Sequence, residues 1–216
     1  MDLTLLITIG VPLFIVFAVI YSDRFREPTD LVIKTFVAGI IMCFPAAELN
    51  NLIIPSYEYA YRAGLTEEIL KFLVLYFYIM PKSAFNEPMD AIVYGVVVSL
   101  GFATFENISY VYLGGFETDS FSLAIMRAVS AIPMHATCGI IMGYFFGLYA
   151  FTNSKNFLIK SLIFPIAIHA TYNFLTLYDF FFLYFLVIVM VYARGLHTEF
   201  AELQLYKQKE DEDTQI

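Results

Sequence analysis

The sequence predicts an all-α, polytopic transmembrane bundle of about seven spans (six to eight), with the N-terminus outside and a C-terminal tail in the cytoplasm. Three observations predict it. Of the 216 residues, 60% are hydrophobic and only 15% charged, and the mean hydropathy is +0.72. A soluble domain runs at about 45–50% apolar and about 25% charged, so this chain has too little polar surface to cover a water-soluble globule. The apolar residues fall in runs of about the 20 residues that a helical span needs. The Lys and Arg residues between those runs are distributed unevenly.

The runs are Leu3–Tyr21, Leu31–Ile54, Leu65–Met80, Met89–Leu113, Leu123–Phe151, Phe157–Leu177 and Phe180–Ala193. The first follows Met1-Asp2 with no basic segment before it and no A-x-A site after it, so it reads as a span and not a signal peptide. The third and seventh are short, and the fifth is long and holds Pro133. Breaker-rich loops separate the runs: Asp23–Asp30, Pro55–Gly64, Pro81–Pro88 and Gly114–Ser120. None is long enough for a soluble domain. The expected organisation is one transmembrane domain, 1–196, and a charged cytoplasmic tail, 197–216, that begins as a short surface helix and frays.

Arg and Lys favour cytoplasmic loops. With the N-terminus outside, the inner segments hold Arg24, Arg26, Lys34, Lys82, Lys155, Lys160, Arg194, Lys207 and Lys209, and the outer ones hold only Arg62 and Arg127. The outer loop with Glu117 and Asp119 fits this orientation, and tyrosines supply the interfacial belt in a chain without tryptophan. The net charge of −8 excludes a nucleic-acid partner, which needs a basic face. Cys43 and Cys138 lie in apolar runs without CxxC spacing and read as small apolar fillers.

An ionisable side chain near the centre of a span costs roughly 2.5–3.5 kcal/mol on insertion scales. This chain places Glu67, Glu68, Lys71, Glu106, His135 and His169 in its spans, with Asn173 as a neutral companion. Glu67 and Glu68 open the third span at its outer end. Glu106 precedes the outer end of the fourth by seven residues, and His135 lies eight residues below Arg127. His169 and Asn173 precede Leu177 by eight and four residues. Eight helical residues descend about 12 Å, so four helices deliver polar groups to one shallow outer layer. Lys71 is i+4 from Glu67 and i+3 from Glu68, so it can pair with either. His169 and Asn173 share a helix face. His135, Gly139, Gly143 and Gly147 form a stripe that lets another helix approach beside the imidazole.

Each group also has a plainer reading. Glu67 and Glu68 suit a helix N-terminus, and Glu106, His135 and His169 could be satisfied interhelical hydrogen bonds. Glu48, Asn50 and Asn51 read as interfacial, and His197 as a solvated tail residue. Chance placement of every group at one depth is the least economical account.

At these positions the chain resembles the PrsW family of bacterial membrane proteases, grouped with CAAX prenyl endopeptidases and Abi proteins. Glu67-Glu68-Ile69-Leu70-Lys71 matches the family's EExxK, and Phe105-Glu106-Asn107 with Tyr110 matches its FExxxY. His135 with Gly139 and Gly143 matches the third motif and His169-xxx-Asn173 the fourth. The resemblance runs from about Arg26 to Asn173. It implies a multi-spanning protease of the bacterial cell membrane whose protein substrate is a single-pass anti-sigma factor. That substrate is cut on its outer side in the first step of a proteolytic cascade (site-1 cleavage).

The expected catalytic residues are Glu67, Glu68, Glu106, His135, His169 and Asn173, with Lys71 in support. One glutamate of the Glu67/Glu68 pair acts as base on a water, and Lys71 tunes the pair. His169 polarises the water or the scissile carbonyl, Asn173 donates to the oxyanion or orients its neighbours, and Glu106 fixes a histidine tautomer. No cofactor is expected, because Lys71 beside the carboxylates would compete with a cation. If zinc binds, the expected ligands are Glu68, Glu106, His135 and His169. The rival classes are a proton-coupled transporter and a non-catalytic membrane scaffold.

Overall fold

In the computed structural model, residues 2–115 and 118–214 are described, without the side chains of 210–214. Glu117 and the acidic side chains Glu210–Asp213 therefore lie outside the described residues. The described residues form eight α-helices: α1 (Leu3–Ser22), α2 (Thr29–Ile53), α3 (Ala63–Leu73), α4 (Pro88–Ile108), α5 (Ser120–Val129), α6 (Ala131–Thr152), α7 (Lys155–Leu175) and α8 (Phe181–Thr214). A 3-10 turn, Tyr57–Arg62, leads into α3. Short π-helical segments, Val74–Ile79 and Ser109–Leu113, extend α3 and α4.

Local chemistry sets the ends. Asp2 caps α1 by accepting from the Thr4 N–H at 3.0 Å. Glu87 and Asp90 form a reciprocal capping box around Pro88 at the start of α4. Asn153 closes α6 in the left-handed region, φ 55°. The long fifth run divides at Ser130 into α5 and α6. Pro133 then sits in the first turn of α6, where its missing N–H costs nothing.

Six helical stretches among the described residues are long and apolar enough to cross a membrane. They are α1, α2, α4 with its π extension, α5 with α6, α7, and α8 as far as Lys209. The remaining passage is the shorter α3 and its π extension, which packs against α2, α4 and α7.

The helix α4 lies at the centre, flanked by α1, α2 and α6, and Ala91 through Val98 are all buried. This explains why α4 has no polar stripe: a helix surrounded by other helices needs apolar residues all round. The peripheral helices instead turn Phe14, Phe17, Ile33, Ile41, Ile188 and Val191 outward, as lipid-facing helices do. The glycine stripe after His135 packs on α4 as expected. A Cβ on Gly139 would meet the Gly95 carbonyl oxygen at 2.6 Å, so neither position has room for a side chain.

The last helix extends well beyond Ala193. Phe200 packs on Tyr144, with ring centroids 4.6 Å apart, and Gln204 is buried. His197, expected to be solvated, is only partly exposed and shares a hydrogen bond with the Ser22 hydroxyl at 2.8 Å. The apolar Leu196 and Phe200 keep this face of α8 against the bundle.

Candidate active site

The helix α3 brings Glu67, Glu68 and Lys71 into the bundle, α4 brings Glu106, α6 brings His135 and α7 brings His169. The six side chains join in one network of hydrogen bonds and ion pairs. Glu68 and Lys71 are sealed from solvent, and Glu67, His135 and His169 are nearly so. Glu106 has 18% of its side chain exposed and forms the network's outer edge.

The two adjacent glutamates have different neighbours, since consecutive helical residues point about 100° apart. The Oε1 of Glu68 accepts from the Lys71 ammonium at 2.7 Å and from His169 Nδ1–H at 2.8 Å. Its carboxylate therefore fixes the His169 tautomer and leaves Nε2 with a free lone pair. That Nε2 lies 3.9 Å from Glu67 Oε2, which is buried without a hydrogen-bond partner. Lys71 Nζ lies 3.7 Å from the same oxygen. On its other side, Glu67 Oε1 accepts from the Asn50 amide at 3.4 Å, and Asn50 in turn accepts from the Thr66 hydroxyl.

Lys71 also donates to His135 Nδ1 at 2.9 Å and stands over the Phe102 ring at 4.3 Å. With Nδ1 accepting, the His135 hydrogen sits on Nε2, which reaches Glu106 Oε2 at 3.1 Å. Arg127 on α5 completes this edge. Its Nη2 donates to Glu106 Oε2 and its Nε to the Asn107 amide oxygen, each at 2.6 Å. The guanidinium also lies over the Tyr110 ring at 4.1 Å.

Asn173 is not drawn into this network. Its amide donates to the Ala60 carbonyl at 3.2 Å, tying α7 to the 3-10 turn before α3. The amide of the expected oxyanion donor is thus engaged by the loop layer, one turn beyond His169. Asn50, Asn107, Thr66 and Arg127 are partners that the sequence reading did not assign. Asn50 continues the buried small-residue stripe Gly39, Cys43 and Ala46 along α2, and that spacing is a legible signal. Arg127 was legible only as an outer cation facing no acid in its own helix.

One oxygen of Glu67 and one nitrogen each of His135 and His169 lie within 4.8 Å of one another, close enough to hold a metal ion. This set contains Glu67 where Glu68 was expected and lacks Glu106: Glu68 Oε1 is engaged by Lys71 and His169, and Glu106 Oε2 by Arg127 and His135.

The profile of the PrsW family intramembrane metalloproteases matches residues 27–194. The chain is 36% identical over 160 residues to "Protease PrsW" of Geobacillus kaustophilus, covering 70% of this chain and 69% of that protein. It is 35% identical over 160 residues to "Protease PrsW" of Bacillus subtilis, covering 69% and 71%. With "Protease PrsW" of Clostridioides difficile the identity is 32% over 207 residues, covering 88% and 87%. No solved structure matches the chain.

Proposed function

The chain belongs to the PrsW family of intramembrane proteases, and from that premise we propose that the Glu67–Glu68–Lys71–Glu106–His135–His169 network is its peptide-hydrolysing centre. The observation that carries this reading is the unpartnered, buried Glu67 Oε2 facing the free Nε2 of an oriented His169. The protein is a membrane protease of bacterial type, with several spans and a protein substrate. The family resemblance implies a single-pass anti-sigma factor as that substrate, and we place the cut on its extracytoplasmic side because Glu106, the most exposed member of the network, lies toward the end of α4 that the Lys/Arg asymmetry puts outside. Family membership favours this reading over a transporter or a scaffold.

In this mechanism Glu67 takes the proton of an attacking water, a role worth about 10²–10⁴ in rate. Glu68 and Lys71 hold His169 with Nε2 presented to that water. His135 Nε2–H and the Arg127 guanidinium both donate to Glu106 Oε2, so in this mechanism they hold that carboxylate, and the His135 ring beside it, in place.

The family's description implies a metal ion, and the donor set fits one once Lys71 releases His135: Glu67, His135 and His169 would hold it, with Glu68 behind His169 as the carboxylate that orients a ligating imidazole. When bound, it would supply Lewis-acid activation of water. The metal-free alternative rests on Lys71, whose ammonium stands 3.7 Å from Glu67 Oε2 and fixes the His135 hydrogen on Nε2. The test is cleavage of a single-pass membrane substrate by purified protein, with metal content measured in parallel. Stoichiometric zinc, loss of activity on chelation and recovery on zinc addition would establish the metal-bound form. Full activity of metal-free protein would establish the glutamate route. Absence of any cleavage product with a range of anti-sigma substrates would overturn the substrate assignment.

A further inference from the structure

A second buried polar cluster lies at the other end of α4. Asp23 and Glu27 come from the α1–α2 loop, Glu87 and Asp90 from the start of α4, and Gln204 of α8 closes over them. Asp90 precedes Glu106 by sixteen helical residues, about 24 Å along the axis, so this cluster shares no residue with the network above.

All four carboxylates are buried. Only Glu87 has an ion pair among the described residues, with Lys207 at 3.7 Å, and that lysine is more than half exposed. Each of the two aspartates has one oxygen engaged and one left over. Asp90 Oδ2 accepts from the Asn86 and Glu87 N–H groups at 2.7 and 2.9 Å. Asp23 Oδ1 accepts from the Phe25 N–H at 3.0 Å and the Gln204 amide at 2.7 Å. Asp90 Oδ1 and Asp23 Oδ2 are sealed from solvent with no hydrogen-bond partner. Glu27 accepts from the Tyr94 hydroxyl. Asp23, Glu27 and Asp90 each present an oxygen within 4.8 Å of the other two.

Three buried carboxylates that converge, with one oxygen each of Asp23 and Asp90 lacking a donor, call for a proton shared between Glu27 and Asp90 or for a cation, since removing charged carboxylates from water costs several kcal/mol each. We propose that Asp23, Glu27 and Asp90 bind a hard divalent cation, Mg²⁺ or Ca²⁺, at the face that the Lys/Arg asymmetry assigns to the cytoplasm. Oxygen-only donors select such ions over zinc, which prefers imidazole or thiolate. A cavity of about 150 Å³ bordered by Glu87, Met89, Gln204 and Lys207 lies beside the cluster, on the side of Glu87 and Gln204. The bound ion latches the α1–α2 loop to α4, with α8 held over both through Gln204. Burial raises the Asp23, Glu27 and Glu87 carboxyls above their ordinary values, which makes a proton the competing occupant.

The test is thermal unfolding of the full chain in detergent, stripped of metal and titrated with MgCl₂ or CaCl₂. The wild type gains stability saturably with one of the two ions. Asp23→Asn and Asp90→Asn each weaken the half-saturating concentration at least tenfold, while Glu67→Gln leaves it unchanged. Terbium luminescence sensitised by Tyr94 gives a second readout on wild-type protein, and it is displaced by the same ion. The proposal is overturned if wild-type stability does not respond to millimolar cation, if both Asn variants respond as wild type does, or if Glu67→Gln abolishes the response. A gain in stability on acidification with no response to either ion would assign the cage to protons and overturn it equally.

Discussion

The two polar clusters lie on opposite ends of one buried helix and are built on opposite principles. The outer network sets three carboxylates against Lys71, Arg127 and two imidazoles, so its two orphaned oxygens, Glu67 Oε2 and Glu68 Oε2, lie among cations and ring nitrogens. The inner cluster sets four carboxylates against one partly exposed lysine. The outer groups come from helix interiors, where backbone amides are already paired and side chains must satisfy one another. The inner groups come from loops and a helix start, where free N–H groups hold Asp23 and Asp90. A balanced network can run proton chemistry without importing charge. An unbalanced one needs an occupant. Orphaned oxygens therefore mean different things in the two places: Glu67 Oε2 faces an imidazole and suits a reacting water, whereas Asp90 Oδ1 lies among other acids.

The contrast can be broken or sharpened by substitution. The largest effect is expected from Glu67→Gln, which keeps volume and removes the base: cleavage should fall by about 10²–10⁴ with the melting temperature little changed. Next comes Lys71→Met, which leaves the sealed Glu68 without its cation. Breaking such a pair costs about 3–5 kcal/mol, measurable by denaturant unfolding in detergent. A neutral result would mean that Glu68 is not ionised. Gly139→Leu forces α6 away from the Gly95 carbonyl and should cost about 1–3 kcal/mol. It should also reduce activity, because His135 and Glu106 reach each other across that helix pair.

Smaller effects test the edges of the outer network. Arg127→Lys keeps the charge but loses the fork that joins Glu106 and Asn107. Cleavage should drop roughly tenfold, equivalent to about 1.4 kcal/mol. Asn173→Ala should change cleavage only a few-fold and cost about 0.5–1.5 kcal/mol of stability, as loss of a single hydrogen bond does. A fall of about 10²–10³ would restore Asn173 as an oxyanion donor.

Much of this was legible in the sequence, for identifiable reasons. Long apolar runs fix spans because unpaired backbone is not tolerated in lipid, and ionisable residues inside them are too costly to be incidental. Their common depth followed from helical rise alone. What depth does not contain is direction around each helix axis. Asn173 shares a face with His169 but reaches the Ala60 carbonyl instead, and Glu67 rather than Glu68 faces the paired imidazole nitrogens. The inner cluster escaped notice because Asp23, Glu27 and Glu87 lie in loops, where acids normally meet water. Their burial depends on α8 continuing past the membrane edge to bring Gln204 across 181 residues of chain.

The central claim is that hydrolysis belongs to the outer network and not to the inner one. Its most direct test compares cleavage rates of wild type, Glu67→Gln and Asp23→Asn, reconstituted in liposomes with one single-pass substrate and assayed by product mass. The account predicts that product disappears with Glu67→Gln, remains within a few-fold of wild type with Asp23→Asn, and maps to the substrate's extracytoplasmic side. Cleavage by Glu67→Gln at the wild-type rate would contradict it.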